Sequence, residues 1–124
     1  MYKINHKKKS NFFHFKNFKK SKSFKISFYK GWHNLFIFRI EFLKKINEKN
    51  FFNKNGISKT SSFEKTLILS NGNAIIKSRN FKKNLKKFDG LHTIKSFKNF
   101  DLEGKKGSQL FIIFGKKNSQ RNKK

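Results

Sequence analysis

Residues 65 to 77 read KTLILSNGNAIIK, and the dipeptide in the middle of that stretch decides the fold class. Leu67 to Leu69 and Ala74 to Ile76 are short apolar runs on either side of Asn71-Gly72. Asn-Gly supplies the positive φ angles of a two-residue hairpin loop, whose twist matches that of the strands it joins. A β-hairpin is expected here, with Lys65 to Ser70 set against Asn73 to Lys77.

The same period-two pattern appears upstream. Phe24, Ile26 and Phe28 alternate with Lys25 and Ser27, which marks a half-buried strand, and Lys30-Gly31 breaks it. Leu35 to Phe42 repeats the signal: Phe36, Phe38, Ile40 and Phe42 share one side, Arg39 and Glu41 the other, and Leu35 and Ile37 make that second side partly apolar. Glu41 to Lys49 fits either the end of this strand or the start of a short helix. Downstream, Leu110 to Phe114 is an unbroken apolar run between Gly107 and Gly115, of a length that suits a buried strand. Residues 47 to 62, with a Phe51-Phe52 pair in polar surroundings, are expected to be loop. Residues 79 to 90 are expected to be a basic loop closing on a turn at Asp89-Gly90. Leu91 to Phe100 has no single dominant pattern.

Beyond these elements lie basic extensions. Residues 1 to 23 alternate Lys7, Lys8 and Lys9 with Phe12, Phe13, Phe15 and Phe18, then Lys19, Lys20 and Lys22, and read as an extended or weakly helical arm. Lys116 to Lys124 reads as a basic tail. The expected organisation is an arm over 1–23, a small β-rich domain over 24–115 and a tail over 116–124. The fold class is mainly β, a small β-barrel or hairpin-based core.

Charge bounds the function. Of 124 residues, 32 are Lys or Arg and 6 are Asp or Glu, a net charge of +26 that would make a free compact monomer repel itself at low salt. The basic residues are overwhelmingly Lys, a flexible point charge without the planar fork of Arg, which favours neutralising phosphate over reading base edges. Eighteen Phe, against 2 Tyr and 1 Trp, are too many for a disordered basic chain, so something must pack. Lys, Asn, Phe and Ile are all encoded by codons of A and T alone, so base composition accounts for part of the excess. No Cys is present, which removes disulfides and thiolate metal sites. No apolar run reaches the length of a membrane-spanning helix.

Few residues carry catalytic chemistry. His6, His14, His33 and His92 are scattered, without a spacing that puts two imidazoles on one helical face, so no metal is expected. A general acid and base would have to come from Asp89, Asp101 and Glu103, with Glu41, Glu48 and Glu64 expected in ion pairs. Gly104-Lys105-Lys106-Gly107-Ser108 offers backbone amides and two Lys to a phosphate, without the spacing of a nucleotide-binding loop. Trp32 is expected in the core, with base stacking as the alternative.

In this order of motifs the chain resembles bacterial-type small-subunit ribosomal protein twelve. Lys19 to Ser23 (KKSKS) is similar to that family's basic arm and Lys30-Gly31 to the step before its first strand. Lys44-Lys45-Ile46-Asn47 and Asp101-Leu102-Glu103-Gly104 are similar to its loops, Asn84-Leu85 to a further loop, and Leu69 to Gly72 to its hairpin turn. The chain lacks the family's prolines and its Gln-Glu-His portion. It also resembles small-subunit protein nineteen, through Lys30-Gly31, Phe42 to Ile46 and Ser58 to Ser62, and large-subunit protein thirty-one, through Leu69 to Lys77 and Phe114-Gly115.

The resemblance implies a structural constituent of an organellar ribosome. Its partners would be ribosomal RNA and neighbouring ribosomal proteins, with no enzymatic activity, cofactor, small-molecule substrate or membrane. The start of the chain, basic and Phe-rich with no acid before Glu41, is similar to an import sequence short of Arg, and the expected setting is the mitochondrion. The expected RNA phosphate contacts are Lys7, Lys8, Lys9, Lys19, Lys20, Lys22, Lys44, Lys45, Lys82, Lys83, Lys86, Lys87, Lys105, Lys106, Lys116 and Lys117. The competing classes are a basic membrane-peripheral protein and a DNA-compacting architectural protein.

Overall fold

A computed structural model describes residues 14–31, 35–57, 64–93 and 99–115. Within them the elements run β1 (Lys16–Lys20), β2 (Phe24–Lys30), β3 (Leu35–Phe42), β4 (Ile46–Glu48), α1 (Phe51–Lys54), β5 (Lys65–Asn71), β6 (Asn73–Ser78), β7 (Phe81–Lys86), β8 (Gly90–Thr93), β9 (Asp101–Gly104) and β10 (Gln109–Gly115). The fold is mainly β, as the alternation in the sequence requires. Two antiparallel sheets form, one of six strands in the order β1-β2-β3-β10-β5-β8 and one of four in the order β4-β9-β6-β7.

Period-two patterning fills the core. Directly opposed residues of antiparallel strands share a face, so the larger sheet carries inward rows Phe28–Phe38–Ile112–Leu67–Leu91 and Ile26–Ile40–Leu110–Leu69. Ala74, Ile76, Leu85 and Leu102 answer them from the smaller sheet, all 1% exposed or less. Each fully buried Leu, Ile or Phe contributes about 1.5–3 kcal/mol against conformational entropy. Phe excess becomes ring packing: Phe36 stacks on Phe114 at 5.2 Å, and Phe38 lies 4.8 Å from Phe28.

Four local expectations are corrected. Strands β5 and β6 fall where the sequence puts them, but they do not pair: β5 lies between β10 and β8, and β6 between β9 and β7. Asn71-Gly72 is a corner between sheets. Gly72 has φ +82°, and a Cβ there would stand 2.7 Å from the Ser108 Cα. Buried Ser108 clamps the exit, accepting from the Asn73 amide at 3.1 Å and donating to its carbonyl at 2.9 Å, while Asn71 Nδ2 donates to the Gly107 carbonyl at 3.0 Å.

Secondly, part of the basic stretch at 79–90 is strand β7, paired with β6 over six residues through a turn at Arg79-Asn80. Phe81 and Leu85 provide its inward anchors. Thirdly, Phe51 and Phe52 belong to α1 and are both 0% exposed; the residues between Glu41 and Lys49 that fitted a helix instead include strand β4. Fourthly, residues 16–20 of the expected arm form edge strand β1, where Phe18 packs 5.1 Å from Phe38 and 6.3 Å from Phe28. Residues 1–13 and 116–124, and with them most of the arm and the tail, lie outside the described residues, as does Trp32.

Candidate functional site

At the end of the larger sheet where β5 begins and β10 ends, a cleft of about 270 Å³ is lined by Leu35, Glu64, Lys65, Thr66, His92, Ile113, Phe114 and Gly115. Ile113, Thr66 and His92 come to it from one cross-strand row, on the outer face of the sheet, and Phe114 and Lys65 from the next row, on the inner face. Thr66 and His92 are directly opposed on β5 and β8. Their side chains bond, Thr66 Oγ1 to His92 Nδ1 at 2.7 Å, and the other imidazole nitrogen, Nε2, meets Glu64 Oε2 at 2.6 Å. With Nε2 protonated and held by the carboxylate, Nδ1 is the acceptor of the Thr66 hydroxyl.

Lys65 is on the inward side, 1% exposed, and burial lowers its pKa from the ordinary lysine value. The cleft thus combines an oriented imidazole, a carboxylate, a hydroxyl and an apolar wall. Among the described residues no three His, Cys, Asp or Glu side chains come together as metal ligands. Sequence reading placed Glu64 in an ion pair and His92 among scattered histidines, and strand register joins the two. The signal available beforehand was parity: Glu64 and Thr66 sit two apart at the start of a strand.

The expected phosphate contacts fall into separate patches. Lys19 and Lys20 are exposed on β1, with Lys22 just beyond. Lys44, Lys45, Lys105 and Lys106 meet at one end, because the Phe42 amide donates to the Ser108 carbonyl and the Gly107 amide to the Phe42 carbonyl, both at 2.9 Å. Lys45 and Lys105 flank a cavity of about 160 Å³ that also contains Glu103. The Gly107 amide is spent on the Phe42 carbonyl and the Ser108 amide on the Lys105 carbonyl, so these two amides are not offered to a phosphate. Lys82, Lys83, Lys86 and Lys87 are exposed along β7 and its following turn. Lys7, Lys8, Lys9, Lys116 and Lys117 lie outside the described residues.

No protein-family model and no curated protein sequence matches the chain. Solved structures do. An HTH_3 family transcriptional regulator from Vibrio cholerae aligns at 12% identity and TM-score 0.56, over 77% of this chain and 52% of that one. The mannose 6-phosphate isomerase of Bacillus subtilis aligns at 11% and 0.55, over 83% and 29%. An RmlC-like cupin from Shewanella frigidimarina aligns at 10% and 0.53, over 90% and 91%. The chain spans about half and under a third of the first two, and nearly all of the third.

These neighbours overturn the ribosomal resemblance. None of the three is a ribosomal protein, and the two-sheet core they share replaces the arm-and-hairpin plan on which that resemblance rested. The expected partners, ribosomal RNA and ribosomal proteins, lose their support with it, as do the membrane-peripheral and DNA-compacting alternatives. The exclusion of a small-molecule substrate is set aside too. The fold itself leaves catalysis open, since an isomerase and a regulator both share it. At these identities the likeness shows the fold alone: the chain has the cupin fold.

Proposed function

We propose that the chain binds a small hydroxylated molecule in the cleft at the end of the larger sheet, with His92 as the proton acceptor. The observation that carries this reading is the imidazole held between Glu64 and Thr66 at 2.6 and 2.7 Å. Thr66 Oγ1 occupies the position from which a ligand hydroxyl would donate to Nδ1, and a base oriented by a carboxylate is the arrangement that proton transfer requires. Ile113 and Phe114 offer an apolar face for the C–H side of a sugar-like ring. The field of a chain with net charge +26 favours a negatively charged version, such as a sugar phosphate or sugar acid, by raising its local concentration. A neighbour of the same fold is named for a sugar phosphate it isomerises.

The test is a titration with glucose 6-phosphate, galacturonate and inorganic phosphate, followed by NMR at the His92 imidazole and the Thr66 and Ile113 methyl groups. Saturable shifts with the two hydroxylated anions, lost in His92→Phe, are expected. Shifts that inorganic phosphate reproduces, or that appear at exposed lysines alone, would overturn the proposal.

A further inference from the structure

Among the described residues strand β7 ends the smaller sheet and pairs with β6 alone, so its other side presents backbone N–H and C=O groups as far as Asn84, the Lys86 amide and carbonyl being taken by Asp89. Its pairing with β6 runs in unbroken register from Ser78↔Phe81 to Asn73↔Lys86. The other basic edge differs: β1 carries a register shift between Asn17 and Lys19, which spoils it as a template. At the far end of β7 stands Phe88, 75% exposed and at φ +73°, a left-handed conformation unfavourable for a phenylalanine.

The surroundings hold it there. The Phe88 amide donates to the Leu69 carbonyl at 2.6 Å, the Leu69 amide to the Asp89 carbonyl at 3.0 Å, and Asp89 Oδ2 accepts from the Lys86 amide at 2.9 Å. An exposed aromatic fixed in a disfavoured backbone conformation signals a use for that ring. Lys87 Nζ lies 5.2 Å from its centroid, and Lys82, Lys83 and Lys86 lie along the strand before it. Edge lysines ordinarily keep two edges apart. Against an acidic strand the same charges attract.

We infer that the free edge of β7 takes an extended acidic peptide as an added strand, with Phe88 as an apolar anchor at one end. Main-chain hydrogen bonds supply affinity, and Lys82 and Lys86, four residues apart on the outward face, select carboxylates at the same spacing on the peptide. The occupant is an acidic protein segment, independent of the cleft and of its ligand.

The experiment uses the full chain and a fluorescein-labelled peptide of alternating Glu and Val, read by anisotropy at physiological salt. A copy N-methylated at alternate peptide bonds keeps the charge and loses strand pairing. Binding about tenfold weaker for the methylated peptide, and again for Lys82→Glu with Lys86→Glu, is expected, with a severalfold loss for Phe88→Ala. Amide shifts should map to β7, and the change Lys19→Glu with Lys20→Glu on β1 should leave affinity within about twofold. Equal binding of the two peptides would mean charge alone and overturn the inference. Shifts mapping to β1, or a preference for phosphatidylserine vesicles or polyuridylate that displaces the peptide from β7, would overturn it as well.

Discussion

Lys65 and Phe88 sit against the residue rules in opposite ways, one a buried charge and the other an exposed ring. Burial lowers the Lys65 pKa below the ordinary lysine value of 10.5, so above that lowered value and up to 10.5 the unfolded chain holds more protons than the folded one. Stability therefore rises with pH across that window and is lowest beneath it. Replacing the ammonium by an apolar group, Lys65→Met, should remove this rise, leaving stability flatter between pH 7 and pH 10 than in the native chain. Urea denaturation at pH 7 and pH 10 measures the difference. At Phe88, glycine removes the left-handed penalty and adds unfolded-state entropy, so Phe88→Gly should stabilise by roughly 0.5–1 kcal/mol in the same assay. At this scale the sequence was informative about pairing of acids only in part: Arg39 with Glu41 at 3.9 Å and Lys54 with Glu48 at 3.8 Å are ion pairs and Glu64 is hydrogen-bonded to His92, but Glu103, read as a candidate acid or base, is paired with Lys77 at 3.2 Å. Lys65 gave no such warning, because only strand parity turns it inward.

Elements were legible where one face was uniformly apolar and opaque where lysine interrupted it. Strands β2 and β3 could be read directly, since Phe24–Ile26–Phe28 and Phe36–Phe38–Ile40–Phe42 state their period, and β10 from the length of the unbroken apolar run Leu110–Phe114. Strand β7 could not: two inward positions, Phe81 and Leu85, are separated by Lys82, Lys83 and Asn84, and the inward-side Lys83 is itself exposed at the sheet edge. The corner at Asn71-Gly72 shows a different limit. Asn-Gly reports positive φ at the turn, but whether the two strands it joins then pair or part depends on what fills the bend, here Ser108, 36 residues downstream of Gly72. Adding a methyl there, Gly72→Ala, should destabilise by about 2 kcal/mol or more through the left-handed φ and the collision with the Ser108 backbone. The Phe51-Phe52 pair, misread as loop, is deep core. Phe52→Ala should remove about 3–5 kcal/mol, seen as a lower urea midpoint at unchanged slope.

For the whole molecule, the balance of 32 basic to 6 acidic residues acts on a core of ordinary quality. Repulsion among like charges is screened within about 10 Å at 0.1 M salt and about 3 Å at 1 M. The thermal midpoint should rise by several degrees between about 0.05 and 0.5 M sodium chloride, and scanning calorimetry at the two concentrations measures the difference. A midpoint that falls or stays level would mean that the positive charges are already compensated within the fold. The cleft belongs to this scale as well, because its carboxylate, imidazole and hydroxyl come from Glu64, Thr66 and His92, which only the pairing of β5 with β8 assembles.

Strand β10 lies between β3 and β5, and the loop before it carries the serine that locks the sheet-to-sheet corner. On a ribosome, β3 and β5 both emerge well before the strand that joins them. Until residues 109–115 arrive, the inner edges of both present unpaired backbone N–H and C=O groups beside apolar side chains, and the corner at Gly72 has nothing to close on. The larger sheet is therefore completed by its final segment, in one long-range step of high loop-closure entropy.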